Sequence, residues 1–383
     1  MRHATHTSSR GYSLLELLIS LAVGLVVIGG AVQVFSKGLD TTWTVQQRAE
    51  MQQDARAASN LMLKDISLAG AGMPSGGIAL VSGGGVLRPK YGCDYTGTCY
   101  LGPNNTTAIT YPQQTVSGNT VNYLYGIVPG WRSGITINGA AGPTDVITVA
   151  YTDTAFLLSD YTITFNDING NSVTFTLPSP APNPLDQAVN NPGVGLQQGD
   201  LVLFTNSSGG AAVAEVTSPL GTGGGPSYTV SFANSSPLLF NQNAGTSGNL
   251  HNAIIINSGN VGVNLSAAVA TATRIWIVTY YLDNTNCTPY CLMRQVNGRT
   301  PVPVAENVGS MQLTYDTYDA NGNLLNATGD GGMGTGISPS LIRRVNLAHL
   351  TFRSALQGVK GYQSLDIATS VSARNLSFIN RYQ

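Results

Sequence analysis

The sequence predicts an α+β fold in which one long amino-terminal helix lies on an antiparallel β-sheet head, enlarged by a β-rich insertion. Three observations carry this. An almost unbroken apolar run from Tyr12 to Phe35 contains a single charge, Glu16. Beyond Leu39 a helical period persists in Met51, Ala55, Ala58, Met62, Ile66 and Ala69, which recur at spacings of three or four and form one stripe. After Pro74 the chain breaks into short β-branched and aromatic runs separated by Gly-, Asn- and Pro-rich turns. A helix followed by runs of strands, without strand–helix alternation, is the α+β pattern. The 383 residues suffice for two lobes beyond the helix. With 42% hydrophobic and only 10% charged residues, the chain is not of disordered composition. A net charge of −1 supplies no general attraction to nucleic acid or acidic lipid.

Taken in order, the first ten residues carry Arg2 and Arg10 and no acid, the basic flank of a membrane segment's cytoplasmic side. At ~1.5 Å per residue the run from Tyr12 to Phe35 reaches ~36 Å, past the ~30 Å of a bilayer core. A carboxylate within such a helix costs ~2.5–3.5 kcal/mol at its centre and less near its end, so Glu16 wants either water or a cationic partner. A secretory signal peptide would have a shorter apolar core and a small-x-small cleavage site behind it. Ala31-Val32-Gln33 is a poor one. A plain signal anchor stays open as a second reading of the same run. Gly24, Gly29 and Gly30 each weaken the helix by ~1 kcal/mol relative to Ala, and they suit close packing against neighbouring helices. In the second half Gln52, Gln53, Arg56, Lys64 and Asp65 fill the positions off the stripe. Residues 70–74 (Gly-Ala-Gly-Met-Pro) end the helix with a glycine for the cap and a proline against continuation.

Strands are expected at 108–111, 145–151, 161–165 and 172–177, the last two joined by a turn at 167–171. Residues 178–192 read as a surface loop, and 199–204 with 211–216 as a hairpin. A glycine loop follows at 221–225. The last third is better patterned, with strands at 274–281, 292–295, 302–318, 341–353 and 365–378. The chain thus divides at 1–11, 12–35, 36–72, 73–270 and 271–383.

Four cysteines form two close pairs, Cys93 with Cys99 and Cys287 with Cys291. Four cysteines allow three connectivities, and in an exported chain two local disulfides are the expected one. The second pair would close the tip of a hairpin. Zinc would need further Cys or His, and His251 and His349 lie far away in sequence. Residues 82–85 are glycine-rich but lack the Lys-Ser/Thr of a phosphate loop, and no HExxH, GxSxG or Walker pattern occurs. No catalytic, cofactor-binding or metal-binding residue is expected. Residues 316–323 (Asp-Thr-Tyr-Asp-Ala-Asn-Gly-Asn) cluster oxygens around a glycine without the EF-hand spacing, and read as a turn. Arg343 and Arg344 fall short of a basic patch, so direct DNA binding is not expected. Tyr280, Tyr281, Tyr315 and Tyr318 belong mainly to the sheet core.

Gly11 before the apolar run, Tyr12 as its first residue and Glu16 as the fifth residue from Tyr12 resemble the class III signal of type IV prepilins. Residues 51–56 and 63–70 are similar to the helix end of PilW-type minor pilins. Residues 199–203, 277–281, 291–294, 306–308 and 372–376 fit the same family in order. Residues 100–270 are longer and richer in Gly and Asn than a compact member. The resemblance implies cleavage between Gly11 and Tyr12 by a prepilin peptidase, releasing a leader of residues 1–11, and N-methylation of Tyr12. It further implies an inner-membrane subunit with a periplasmic head, later pulled by the assembly platform into an extracellular fibre. There Glu16 would pair with a neighbour's amine among other minor and major pilins, with a tip adhesin as a further partner. A J-type pseudopilin of type II secretion shares the same plan. A membrane-anchored adhesin or carbohydrate-binding module, binding through residues 100–270, is the alternative from a different class.

Overall fold

The computed structural model describes residues 11–74, 76–80, 87–116, 119–137, 142–166, 171–183, 187–206, 211–221, 225–234, 236–241, 270–285, 287, 289–325, 337–354 and 362–377. The expected features at 82–85, 222–224, His251 and Phe378, and most of the 167–171 turn, lie outside them. Two compact units emerge: Met1–Gln52 with Ser354–Gln363, and Gln53–Arg353 with Ser364–Gln383.

A single helix, α1, spans Leu14–Leu68. The Ser13 carbonyl opens it, accepting from the amides of Glu16 and Leu17. Gly70 closes it with φ of +76°, a conformation that side-chain-bearing residues adopt at a cost, and its N–H donates to Ala150 O at 2.8 Å. All six stripe residues from Met51 to Ala69 are buried.

Eighteen strands follow among the described residues. The first seven are β1 (Ile78–Leu80), β2 (Lys90–Tyr91), β3 (Ile109–Thr110), β4 (Gln113–Val116), β5 (Asn119–Leu124), β6 (Ile127–Gly130) and β7 (Val146–Thr152). Next come β8 (Thr162–Phe165), β9 (Ser172–Thr176), β10 (Leu201–Asn206), β11 (Ala211–Glu215) and β12 (Ser227–Ser231). The last third holds β13 (Ala270–Asp283), β14 (Cys291–Val296), β15 (Val302–Glu306), β16 (Val308–Thr317), β17 (Ile342–Arg353) and β18 (Ser364–Ser372). A one-turn helix, α2 (Arg374–Ser377), comes last. The predicted strand at 365–378 is therefore correct only to Ser372. The stretch predicted at 302–318 is two strands, divided at Asn307, whose φ is +57°.

Every pairing among the described residues is antiparallel, as expected of the α+β head, and the strands form several sheets. The largest runs β11-β10-β13-β14-β15, with β7 also on β13 and β6 on β7. Its centre is β13, which carries two partners in tandem along one edge. Residues 270–275 pair with β10, and 278–283 with β14. On the other edge β7 pairs with 275–280 and so bridges the gap between them. At the gap Gly298 N donates to Gly199 O at 2.9 Å, and a Cβ on Gly199 would sit 2.9 Å from the Gly298 carbonyl oxygen. Gly199 has φ of +84°, so both contact and conformation require glycine there. Alternation along β13 separates two cores. Ile275, Ile277 and Tyr281 enter one with Leu201, Leu203 and Met293. Ala272 enters the other with Phe204, Phe175 and Phe232.

Candidate functional site

The first candidate is the start of α1. Gly11 and Tyr12 precede the helix, and Tyr12 is 85% exposed. Glu16 stands exposed in the first turn, where a carboxylate favours the amino-terminal end of the helix dipole. It makes no ion pair among the described residues. Around it Leu14, Leu15, Leu17, Leu18, Ile19 and Leu21 are all more than half exposed. An eighteen-residue window of α1 reaches a mean hydropathy of 2.4 with none of it buried. A helix this apolar and this bare fits a membrane anchor.

Lower on the same helix sits an acid of the opposite kind. Asp65 is buried, with 3% of its surface exposed. Its Oδ2 accepts from the Tyr280 hydroxyl at 2.6 Å and from Arg294 Nε at 2.8 Å, and its Oδ1 accepts from the Tyr151 hydroxyl at 3.2 Å. Tyr280 lies on β13, Arg294 on β14 and Tyr151 on β7, so one carboxylate ties the helix to three strands. Burial, then the Asp65 charge, pushes both tyrosine hydroxyls well above their ordinary range. Burial opposes the charge on Arg294, but the Asp65 carboxylate and the Tyr280 hydroxyl together hold it above its usual value. Sequence reading set Asp65 among the positions off the stripe. Its spacing of three from Met62 and seven from Ala58 placed it beside the stripe, and that was the available signal.

A second buried charge network lies near the Gly199–Gly298 contact. Arg274 pairs with Asp153 and, at 3.6 Å, with Asp200, while Arg299 forks onto Asp200 at 2.8 and 3.0 Å. Both guanidiniums lie over the Trp276 ring, at 4.4 and 5.2 Å from its centroid. Beside them opens a cleft of about 350 Å³, lined in part by Tyr151, Trp276 and Val296.

The remaining predicted positions are structural. Cys93 is bonded to Cys99 and Cys287 to Cys291, the second pair at the β13–β14 hairpin tip. Asp319 accepts from the amides of Asn321 and Asn323 and from the Asn323 side chain, so residues 318–324 are a turn. His349 is exposed beside Asp366 at 2.7 Å. Arg343 donates to backbone carbonyls of Ser340 and Ile342, and Arg344 pairs with Asp316. Tyr280, Tyr281 and Tyr315 are buried, and Tyr318 is half-buried. Among the described residues no group of three or more His, Cys, Asp or Glu is placed to hold a metal.

Residues 6–32 match the model of the prokaryotic N-terminal methylation motif. No curated protein and no solved structure matches the chain. The amino-terminal segment therefore carries a type IV pilin-like precursor signal, which implies processing by a prepilin peptidase and assembly with other pilin-class subunits.

Proposed function

We propose that the chain is a minor pilin of PilW type that primes or supports assembly of a type IV pilus. The methylation motif over residues 6–32, which contain Gly11, Tyr12 and Glu16, supports the pilin part of this reading, and the likeness of residues 51–56 and 63–70 to PilW-type helix ends supports the finer part. A prepilin peptidase cuts between Gly11 and Tyr12 on the cytoplasmic face and methylates the new Tyr12 amine. The subunit waits in the inner membrane with its head in the periplasm, and the assembly platform then extracts it into the fibre. In the fibre core the Glu16 carboxylate has no water, and an unpaired charge there costs several kcal/mol. The amine of a neighbouring subunit relieves that cost in one axial register only. Glu16 is thus a register key, and a place near the fibre tip with other minor pilins follows from a priming role.

The test is N-terminal peptide and intact mass spectrometry on native membrane and sheared-fibre fractions. The expected result is a chain beginning with N-methylated Tyr12 in both fractions. A chain retaining Met1, or cut beyond Ala31, would overturn the reading. An N-methylated chain found only with secretion components would transfer it to the pseudopilus.

A further inference from the structure

The cleft beside Trp276 is lined by Tyr151, Trp276, Arg294, Val296, Arg299, Thr300 and Val302. Part of that lining is rigid. Tyr151 and Trp276 are direct cross-strand partners between β7 and β13. The Trp276 ring is fixed by the Arg274 and Arg299 guanidiniums and the Tyr151 hydroxyl by Asp65. Arg294 and Arg299 form the flanks, and Val302, 53% exposed, forms the rim. The volume of about 350 Å³ lies at the lower end of the ~300–1,000 Å³ typical of small-molecule sites.

Charge and donor inventory narrow the ligand. Three guanidiniums, Arg274, Arg294 and Arg299, face three buried carboxylates, Asp153, Asp65 and Asp200. The local sum is zero, so there is no excess field for an anion. The carboxylates are turned inward onto their arginines, which leaves the cleft rich in donors. Arg299 spends Nε and Nη2 on Asp200, and its Nη1 makes no hydrogen bond among the described residues. These donors are held in place before any ligand arrives, which lowers the ordering cost of binding. A peptide strand fits poorly, because β15 beside the rim carries Pro303 and follows Pro301, and neither has an N–H to offer a new strand.

We propose that this cleft binds an uncharged saccharide, its C–H groups against Tyr151 and Val296 and its oxygens accepting from Arg299 Nη1. An aromatic ring suits the weakly positive C–H bonds of a pyranose through its negative face and edge geometry, and neutral oxygens match donors that carry no surplus charge. The inference is independent of the role in fibre assembly.

The test is calorimetric titration of the full chain, in a detergent without a sugar headgroup, with cellotetraose and with tetragalacturonate. Cellotetraose is expected to saturate on the order of millimolar or tighter. Val302→Trp, an exposed rim change that fills the cleft, should weaken it about tenfold or more while leaving the melting temperature unchanged. Trp276→Phe should weaken it less. Absence of saturation, equal affinity in Val302→Trp, or saturation by tetragalacturonate alone would each overturn the proposal. Cellotetraose binding in a chain found unmethylated would sustain it while sinking the pilin reading.

Discussion

Glu16 and Asp65 are two carboxylates on one helix, and they are satisfied in opposite ways. Asp65 finds two tyrosine hydroxyls and a guanidinium inside its own chain. Glu16 makes no ion pair among the described residues and stands on a bare apolar surface. On the proposed function, the difference separates a group that folds the chain from a group that waits for another molecule. Damage to the first should appear in a melting curve of the isolated protein. Damage to the second should appear only where subunits meet.

Asp65→Ala gives the largest expected effect on the head. It strands Arg294 and two tyrosine hydroxyls, and losing one partner of a buried pair costs ~3–5 kcal/mol. The Arg294 side chain is 21% exposed, so water relieves part of this and the expected loss is about 3 kcal/mol. Urea unfolding of wild type and variant measures it, and a loss under ~1 kcal/mol would demote Asp65 to an ordinary surface acid.

Glu215 sharpens the contrast as an acid that is buried yet incompletely satisfied. Its Oε2 accepts from Leu238 N at 3.1 Å, while Oε1 has no partner among the described residues. Burial pushes its carboxyl up to about 7, against the hydrogen bonds of Ser236 and Leu238 and the charge of Lys90. Tyr111 is the other titratable group coupled to it. The folded state therefore holds this proton more tightly than the unfolded state, whose value is near 4.5. Its stabilising share is complete below about pH 4.5 and is lost as pH rises through 7. A shift of this size corresponds to about 3 kcal/mol at most. Glu215→Gln should flatten that part of the stability profile, making the variant more stable than wild type at pH 9 and similar at pH 4. Parallel profiles for the two proteins would show that Glu215 does not titrate there.

Glu16→Ala completes the series with the smallest effect on stability, under ~0.5 kcal/mol in detergent, as for an exposed position. On the proposed function its effect on fibre incorporation is large. Immunoblots of sheared fibres and membranes should show the variant processed at Gly11 but retained in the membrane. Wild-type incorporation would remove Glu16 from assembly and erase the contrast with Asp65.

The sequence was legible where its signals are local. The apolar run and the period-3.6 stripe located α1, and Gly70 marked its end. The hairpins β8–β9 and β10–β11 stood out because β-branched residues alternate between turn residues. Strands β4, β5 and β12 escaped because they are short and polar, as in Gln-Gln-Thr-Val at 113–116. The helical turn at 374–377 was hidden by its continuity with β18. Asp65 escaped for a different reason. Periodicity gave its angle on the helix but not the partners, which lie 86, 215 and 229 residues away. The cleft was invisible in the same way, since Tyr151 and Trp276 meet only through the register of β7 on β13.

The tandem edge of β13 also fixes how the head can move. The strand's first half belongs to the β10 side and its second half to the β14 side, while β7 lies across the seam like a splint. Among the described residues the two sides of the seam are joined by this one continuous strand. Bending at the seam would first have to break backbone hydrogen bonds to β7 around residues 275–280.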